Sequence, residues 1–332
     1  MLNQKLKLNP KLWNADVEQV PIRKGFGQGL LLAGEADKNV VGLCADLTES
    51  TQMNLFADKF PERFVQVGVA EQNLVTVASG MAAMGKIPFC SSYAMFSPGR
   101  NWEQIRTTIA YNERKVIIVG SHAGISVGPD GGTHQALEDI ALMRVMPDMD
   151  VVSPCDAIEA KKATLALAKT KRPAYLRLAR DKTPIITTEE TPFSLKKAEI
   201  YWMPEVGLAQ VGIIVTGGLT HRALLAAKEL EAEGIKTKVL HLTSIKPIDG
   251  NAIITLAKET KKIVTVEEHQ VVGGMGSAVA EVLAQNYPVA IEFVGVQDKF
   301  GQSGTPDELV EYYGMGKNSI KEAVKKVLSR KI

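Results

Sequence analysis

Apolar residues in this chain fall into short, nearly continuous runs separated by stretches of helical period. Val40 to Cys44, Ile87 to Ser91, Val116 to Val119, Val151-Val152 and Ala174 to Leu178 read as buried strands. Phe64, Val65, Val67 and Val69 form a further, alternating run that reads as a buried strand. Between them Ile22 to Glu35, Asn54 to Lys59, Leu74 to Met84, Trp102 to Tyr111 and Ala157 to Lys169 read as helices. Alternation of this kind predicts an α/β fold with a mostly parallel sheet covered by helices. The stretch from Leu74 to Met84 carries no charge, so it is expected to be buried all round.

From Asp181 to Leu195 the pattern breaks into polar residues interrupted by Pro184 and Pro192. A second, smaller α/β series follows. Its strands are expected at Val211 to Val215, Lys238 to Leu242, Ile263 to Val266 and Ala290 to Val294. Its helices are expected at Thr220 to Glu233, Asn251 to Lys258, Gly276 to Ala284 and Ile320 to Leu328. The predicted organisation is a first domain over residues 1–182, a linker over 183–197 and a second domain over 198–332. Gly25, Gly27 and Gly29 with Gly34 imitate a dinucleotide fingerprint. They run into the helix itself with no strand read before them, which argues against that use.

Composition narrows the class. Of 332 residues, 45% are hydrophobic and 23% charged, the balance of a globular protein. A net charge of +2 without a basic run gives no reason to expect nucleic acid or a membrane surface as partner. Met1 to Leu8 lacks the apolar core of a signal peptide, and a cytoplasmic location is expected. Cys44, Cys90 and Cys155 lie beside apolar runs and read as small buried side chains, neither bridged nor zinc-bound.

In open α/β sheets, chemistry gathers at the loops beyond the carboxyl ends of the strands. Here those loops hold Ala45-Asp46-Leu47-Thr48-Glu49-Ser50, then Glu71, then Tyr93-Ala94-Met95-Phe96 with Ser97-Pro98-Gly99-Arg100. They continue with His122 and the run Gly128-Pro129-Asp130-Gly131-Gly132-Thr133-His134, and end with Ala179-Arg180-Asp181. His122 and His134 lack the spacing of a zinc pair, so no metal ligand is assigned. An acid, two aromatics, two histidines and an arginine on successive strand ends make one candidate site.

These residues carry a resemblance. Gly68-Val69-Ala70-Glu71-Gln72-Asn73 resembles the glutamate motif of thiamine-diphosphate enzymes of the transketolase type. Ala45-Asp46-Leu47-Thr48 and Gly128 to Gln135 are similar to transketolase signatures, and Val266 to Ala278 is similar to the carboxyl-terminal domain of that group. The resemblance runs from about Asp16 to Leu328 and matches only the second half of a full-length transketolase. The family's Gly-Asp-Gly motif, which holds diphosphate and magnesium, does not occur in the chain. The resemblance therefore implies the carboxyl-terminal subunit of a split transketolase. Its thiamine diphosphate and Mg2+ would be held mainly by an amino-terminal partner subunit, in a two-plus-two heterotetramer.

The same resemblance implies roles. Glu71 would bond the cofactor's aminopyrimidine, a task for a carboxyl that is buried and away from cations; no other residue in the sequence is read as having such a setting. Tyr93 and Phe96 would wall that ring, and Asp46 would line the pocket. Arg23, Ser50, His122 and Arg180 would clamp a sugar phosphate, Asp130 would accept from the substrate's 2-hydroxyl, and His134 would shuttle a proton. The implied reaction moves a two-carbon ketol unit between sugar phosphates. Alternatives are 1-deoxyxylulose-5-phosphate synthase, the beta subunit of a 2-oxoacid dehydrogenase, and a non-catalytic scaffold.

Overall fold

The computed structural model describes residues 1–330; residues 331–332, the end of the expected second domain, lie outside the described residues. In chain order the strands are β1 (Gln19–Pro21), β2 (Val40–Cys44), β3 (Phe64–Gln66), β4 (Ile87–Tyr93), β5 (Ile117–Ser121), β6 (Asp150–Val152) and β7 (Ala174–Arg177). They continue with β8 (Lys182–Pro184), β9 (Glu199–Trp202), β10 (Val211–Val215), β11 (Thr237–His241), β12 (Ser244–Lys246), β13 (Lys262–Gln270) and β14 (Ala290–Val296).

Seven of them form one sheet in the order β12-β6-β7-β5-β4-β2-β3, parallel except where β12 meets β6. Five form a second sheet, β14-β13-β10-β11-β9, parallel except where β9 meets β11. The pleat sends successive residues of a strand to opposite faces. Val40 and Cys44 of β2 accordingly join one core with Phe26, Phe56 and Leu176, while Val41 and Leu43 join another with Leu74, Ile105 and Ile140. The latter core also contains Ile214, Leu240, Leu242 and Ile263, so the two halves of the chain share apolar packing.

Further ties cross between the halves. Strand β12, from the second half, closes an edge of the first sheet. Leu6, Leu8 and Leu12, from the first residues of the chain, are buried against the second sheet, and the Asn3 amide donates to Tyr201 O at 3.0 Å. The expected linker is pinned as well. Strand β8 pairs with β1, and the Asp156 carboxylate accepts from Ile186 N at 2.8 Å, Thr187 N at 2.6 Å and the Thr187 hydroxyl at 2.9 Å.

The structure corrects two readings around the first helices. A strand does precede the glycine-rich helix Ile22–Ala36, but β1 is three residues of an antiparallel ribbon. The glycines serve helix packing: a Cβ at Gly25 would come within 1.8 Å of Ala157 O, and one at Gly29 within 2.8 Å of Thr164. Second, the uncharged helix is not buried all round. Glu71–Ala83 buries Leu74, Val75, Ala78 and Ser79 on one side, while Gln72, Asn73, Gly80 and Ala83 are exposed and Met84 beyond it is 82% exposed. Only one side of that helix meets the sheet, chiefly at β4, and the strand expected before it is cut short: β3 stops at Gln66, is only partly buried, and Val69 is 70% exposed.

All three cysteines are buried and free. Among the described residues no helix is long and apolar enough to cross a membrane.

Candidate active site

Strand β3 ends two residues before a glycine turn, with Gly68 at φ +73°, and the helix Glu71–Ala83 starts at the acid itself. A carboxylate in the first turn is favoured by the helix dipole. Glu71 is 3% exposed, as the sequence predicts for it. Its expected isolation from cations is overturned: Arg100 Nη1 lies 3.0 Å from both carboxylate oxygens. The reason is the turn after β4, which folds Arg100 back over Glu71. Asn101 Nδ2 clamps this turn by donating to Glu71 O at 2.8 Å and to Ser97 Oγ at 3.2 Å.

Glu71 is also not the only buried acid. Asp139, Asp156, Glu159, Glu267 and Glu268 are equally buried. Glu267 accepts from Met275 N at 2.6 Å and Gly276 N at 2.8 Å, yet burial pushes its pKa up to about 7. No motif in the sequence marks these acids, which lie inside or at the ends of apolar strands and helices.

Tyr93, the last residue of β4, and Phe96 are stacked with centroids 6.0 Å apart and planes 17° apart. The His122 imidazole is stacked on Tyr93, with centroids 3.9 Å apart and planes 23° apart. The guanidinium of Arg100 sits 4.3 Å over Phe96. His122, Tyr93, Phe96 and Arg100 thus form a continuous ladder ending at Glu71. His134 meets it edge-on, 5.4 Å from Phe96 and 6.4 Å from Tyr93, with its Nδ1 2.9 Å from Thr133 Oγ1.

His122 follows β5 with φ +57°, and its Nδ1 lies 2.9 Å from Ser121 Oγ. Burial, then the positive charges of Arg23, Arg180 and His134, lower its pKa to about 3. Arg23, on the first helix, donates to the Arg180 carbonyl, and Arg180 Nη1 donates to Val127 O at 3.1 Å. Burial and Arg180 lower the pKa of Arg23, whose Nε is buried without a partner. Two guanidiniums held this close, one carrying an orphaned donor, suit an anion with several oxygens.

The loop that carries His122 and His134 is held from beneath by the second half of the chain. Glu268 Oε1 accepts from Ser126 N at 2.6 Å, and Gln135 Nε2 donates to Gln302 O at 3.0 Å. Arg177 and Asp139 form a buried pair at 2.7 Å, and Arg177 also donates to Glu268 O at 2.9 Å. The structure therefore brings together Glu71, Tyr93, Phe96, His122, His134, Arg23 and Arg180. Asp46, Ser50 and Asp130 make no hydrogen bond or ion pair to that cluster among the described residues. Asp46 is exposed at φ +61° with its N–H on Gln66 Oε1 at 2.6 Å, Ser50 is half-buried, and Asp130 is exposed.

Comparison with known proteins adds an independent line. Residues 18–185 match the family model "Transketolase, pyrimidine binding domain", and residues 203–320 match "Transketolase, C-terminal domain". A protein of Methanocaldococcus jannaschii named "Putative transketolase C-terminal section" is 44% identical over 91% of this chain and 95% of its own length. A 6-deoxy-6-sulfo-D-fructose transketolase subunit of Clostridium sp. is 38% identical over 95% of this chain and 97% of its own. A solved structure titled "Split gene transketolase, inactive beta4 tetramer" superposes with a TM-score of 0.86 at 42% identity, covering 93% of this chain and 99% of its own.

Proposed function

This chain belongs to the transketolase family, and from that premise we propose that it is the carboxyl-terminal subunit of a split transketolase. With a separate diphosphate-binding subunit it transfers a two-carbon ketol unit from a ketose phosphate to an aldose phosphate. Relatives of about this chain's own length, named as a C-terminal section and as a subunit, support the division of labour. The uncharged outer face of the helix Glu71–Ala83 supports an assembled state, since such a face is favourably covered by a partner.

One observation carries the reading. The carboxylate of Glu71, 3% exposed, holds a flat nitrogenous group that lies against the Phe96 ring. The guanidinium of Arg100 is like an aminopyrimidine in being planar, nitrogenous and stacked; the ring nitrogen, itself an acceptor, would take its place with a proton shared between it and Glu71. The residues present therefore fit thiamine diphosphate. When bound, that cofactor supplies a nucleophilic carbon and its own amino base. Glu71 would hold a proton at the pyrimidine nitrogen, with Tyr93 and Phe96 as walls and Asp46 at the rim. Offset stacking of this kind contributes on the order of 1 kcal/mol beyond burial. Diphosphate and Mg2+ fall mainly to the partner subunit.

For substrate, Arg23 and Arg180 supply forked donors to a phosphate, joined by Ser50 and by His122, which is neutral near pH 7. A neutral imidazole both donates and accepts, so it can bond a sugar hydroxyl or a phosphate oxygen. Asp130 would read the 2-hydroxyl, and His134 would move a proton at the carbonyl-derived oxygen. The test is to mix the chain with its candidate partner, thiamine diphosphate and Mg2+, and assay ketol transfer from xylulose 5-phosphate, each chain alone as control. Transfer should require both chains. Glu71→Ala should lower it by about 10²-fold or more with fold and assembly retained, and activity within about tenfold of the parent would overturn the assignment.

A further inference from the structure

The proposed function gives Arg100 no task of its own, yet its guanidinium contacts both oxygens of the central acid. Its Nη1 sits 3.0 Å from each oxygen of Glu71, and its guanidinium covers Phe96 at 4.3 Å. These are the two surfaces that the proposed function assigns to the pyrimidine ring. Both cannot be shared, because one face of Phe96 and one buried carboxylate admit one flat group at a time.

The backbone around Arg100 is fixed while its side chain is not. Arg100 N donates to Phe96 O at 2.8 Å, and the next residue, Asn101, is fully buried and bonded to Glu71 O and Ser97 Oγ. The side chain of Arg100, in contrast, is 51% exposed and borders solvent. Rotation about its own bonds suffices to take the guanidinium from Glu71 into water with no movement of the loop. An exposed arginine loses little by such a move, whereas the carboxylate it leaves is 96% covered and needs a new donor at once.

We infer that Arg100 is a displaceable plug of the pyrimidine slot, satisfying Glu71 and covering Phe96 until the cofactor ring takes both from it. This rests on the proposed function, since it names what competes for that function's central acid. A binding-competent state populated only in part weakens apparent affinity by that fraction, so removing the plug strengthens binding. The plug thus makes cofactor entry a swap of partners on Glu71: as the guanidinium leaves, one proton is taken up from solvent and shared between the acid and the ring nitrogen, so the buried group is not left unpaired.

The experiment uses the full chain and the probe 4-amino-5-hydroxymethyl-2-methylpyrimidine, with binding followed by calorimetry and by ligand-observed NMR. Arg100→Ala and Arg100→Gln should bind the probe at least about tenfold more tightly than the parent chain. Glu71→Ala should abolish binding in either background, and circular dichroism checks that each variant is folded. Equal binding by parent and Arg100 variants, lost on Glu71→Ala, overturns the plug and leaves the proposed function standing. Weaker binding by the Arg100 variants also overturns it, because Arg100 would then be a partner of the bound ring. No binding by any chain overturns the plug together with the slot on which it depends.

Discussion

The imidazole of His122 lies nearly flat on the ring of Tyr93, with centroids 3.9 Å apart and planes 23° apart. Neither ring can leave without exposing the other, and the imidazole is 3% exposed. Burial first, then Arg23, Arg180 and His134, bring its pKa down to about 3 from an ordinary 6.5. A base whose folded pKa is depressed gives up stability as pH falls through its unfolded value toward its folded one. Between about pH 6.5 and 3 this residue therefore opposes folding increasingly. Ring-nitrogen NMR should show His122 neutral throughout pH 8 to 5, and a titration midpoint near 6.5 would contradict the stacked geometry.

Arg180 and Arg23 share a single contact, the donation from the Arg23 guanidinium to the Arg180 carbonyl, and the proposed clamp uses both. Arg180→Ala removes a charge-assisted pair with phosphate, which is worth about 1.5–3 kcal/mol. The Michaelis constant for phosphorylated sugars should rise by roughly 10- to 100-fold, with far less change for unphosphorylated ones. Parallel losses on both substrate classes would assign Arg180 a structural role instead.

Glu159 and His241 form a buried side-chain tie between the halves of the chain. Glu159 Oε2 lies 2.9 Å from His241 Nε2, and the amide of Cys155 and the hydroxyl of Thr243 also bond this carboxylate. Against the cost of burial, His241 and Thr243 hold its pKa down to about 2. Stability from a depressed acid is present above its ordinary 4.5 and is lost as pH falls toward about 2. Glu159→Ala leaves His241 and the Thr243 hydroxyl without their shared acceptor beside a cavity and should cost on the order of 3 kcal/mol in urea denaturation.

Glu267 works in the opposite sense. Burial raises its pKa to about 7 although Gly276 and Met275 amides favour the ionised form. Between the unfolded value of 4.5 and about 7 the native state binds the extra proton, so this residue's contribution to stability falls as pH rises. Glu267→Gln should flatten that part of the stability curve, with a difference from the parent approaching ~1.4 kcal/mol per pH unit across the window. An unchanged slope from pH 5 to 7 would show that the acid ionises in place.

Much of this architecture is legible in the sequence because continuous β-branched runs have few other destinations. The expected strands at residues 40–44 and 211–215 match β2 and β10, and the alternation of helix and strand carries the fold class. The pieces missed are short and defined by what they pair with: β1, β8, β9 and β12 are three or four residues long and antiparallel to their neighbours. The helix Pro306–Tyr312 was within reach, since Thr305-Pro306-Asp307-Glu308 is a capping box with proline at the first turn. At the site, strand-end position marks Glu71, Tyr93, Phe96, His122 and His134, and the structure gathers them. The pairing of Arg100 with Glu71 is not readable: twenty-nine positions separate them, and a side chain's return path depends on the turn clamped by Asn101. The shared setting of Glu159 and His241, eighty-two positions apart, is hidden for the same reason.

Strand β12 gives the two halves a joint construction. Ser244–Lys246 is encoded with the five-stranded unit but finishes the edge of the seven-stranded one. Exchanging the carboxyl-terminal module for that of a relative would therefore also re-edge the sheet that bears the candidate-site loops. Chimaeras of this family should be grafted with β12 assigned to the sheet it completes, and recombination points drawn at the linker alone would sever a seam instead of a hinge.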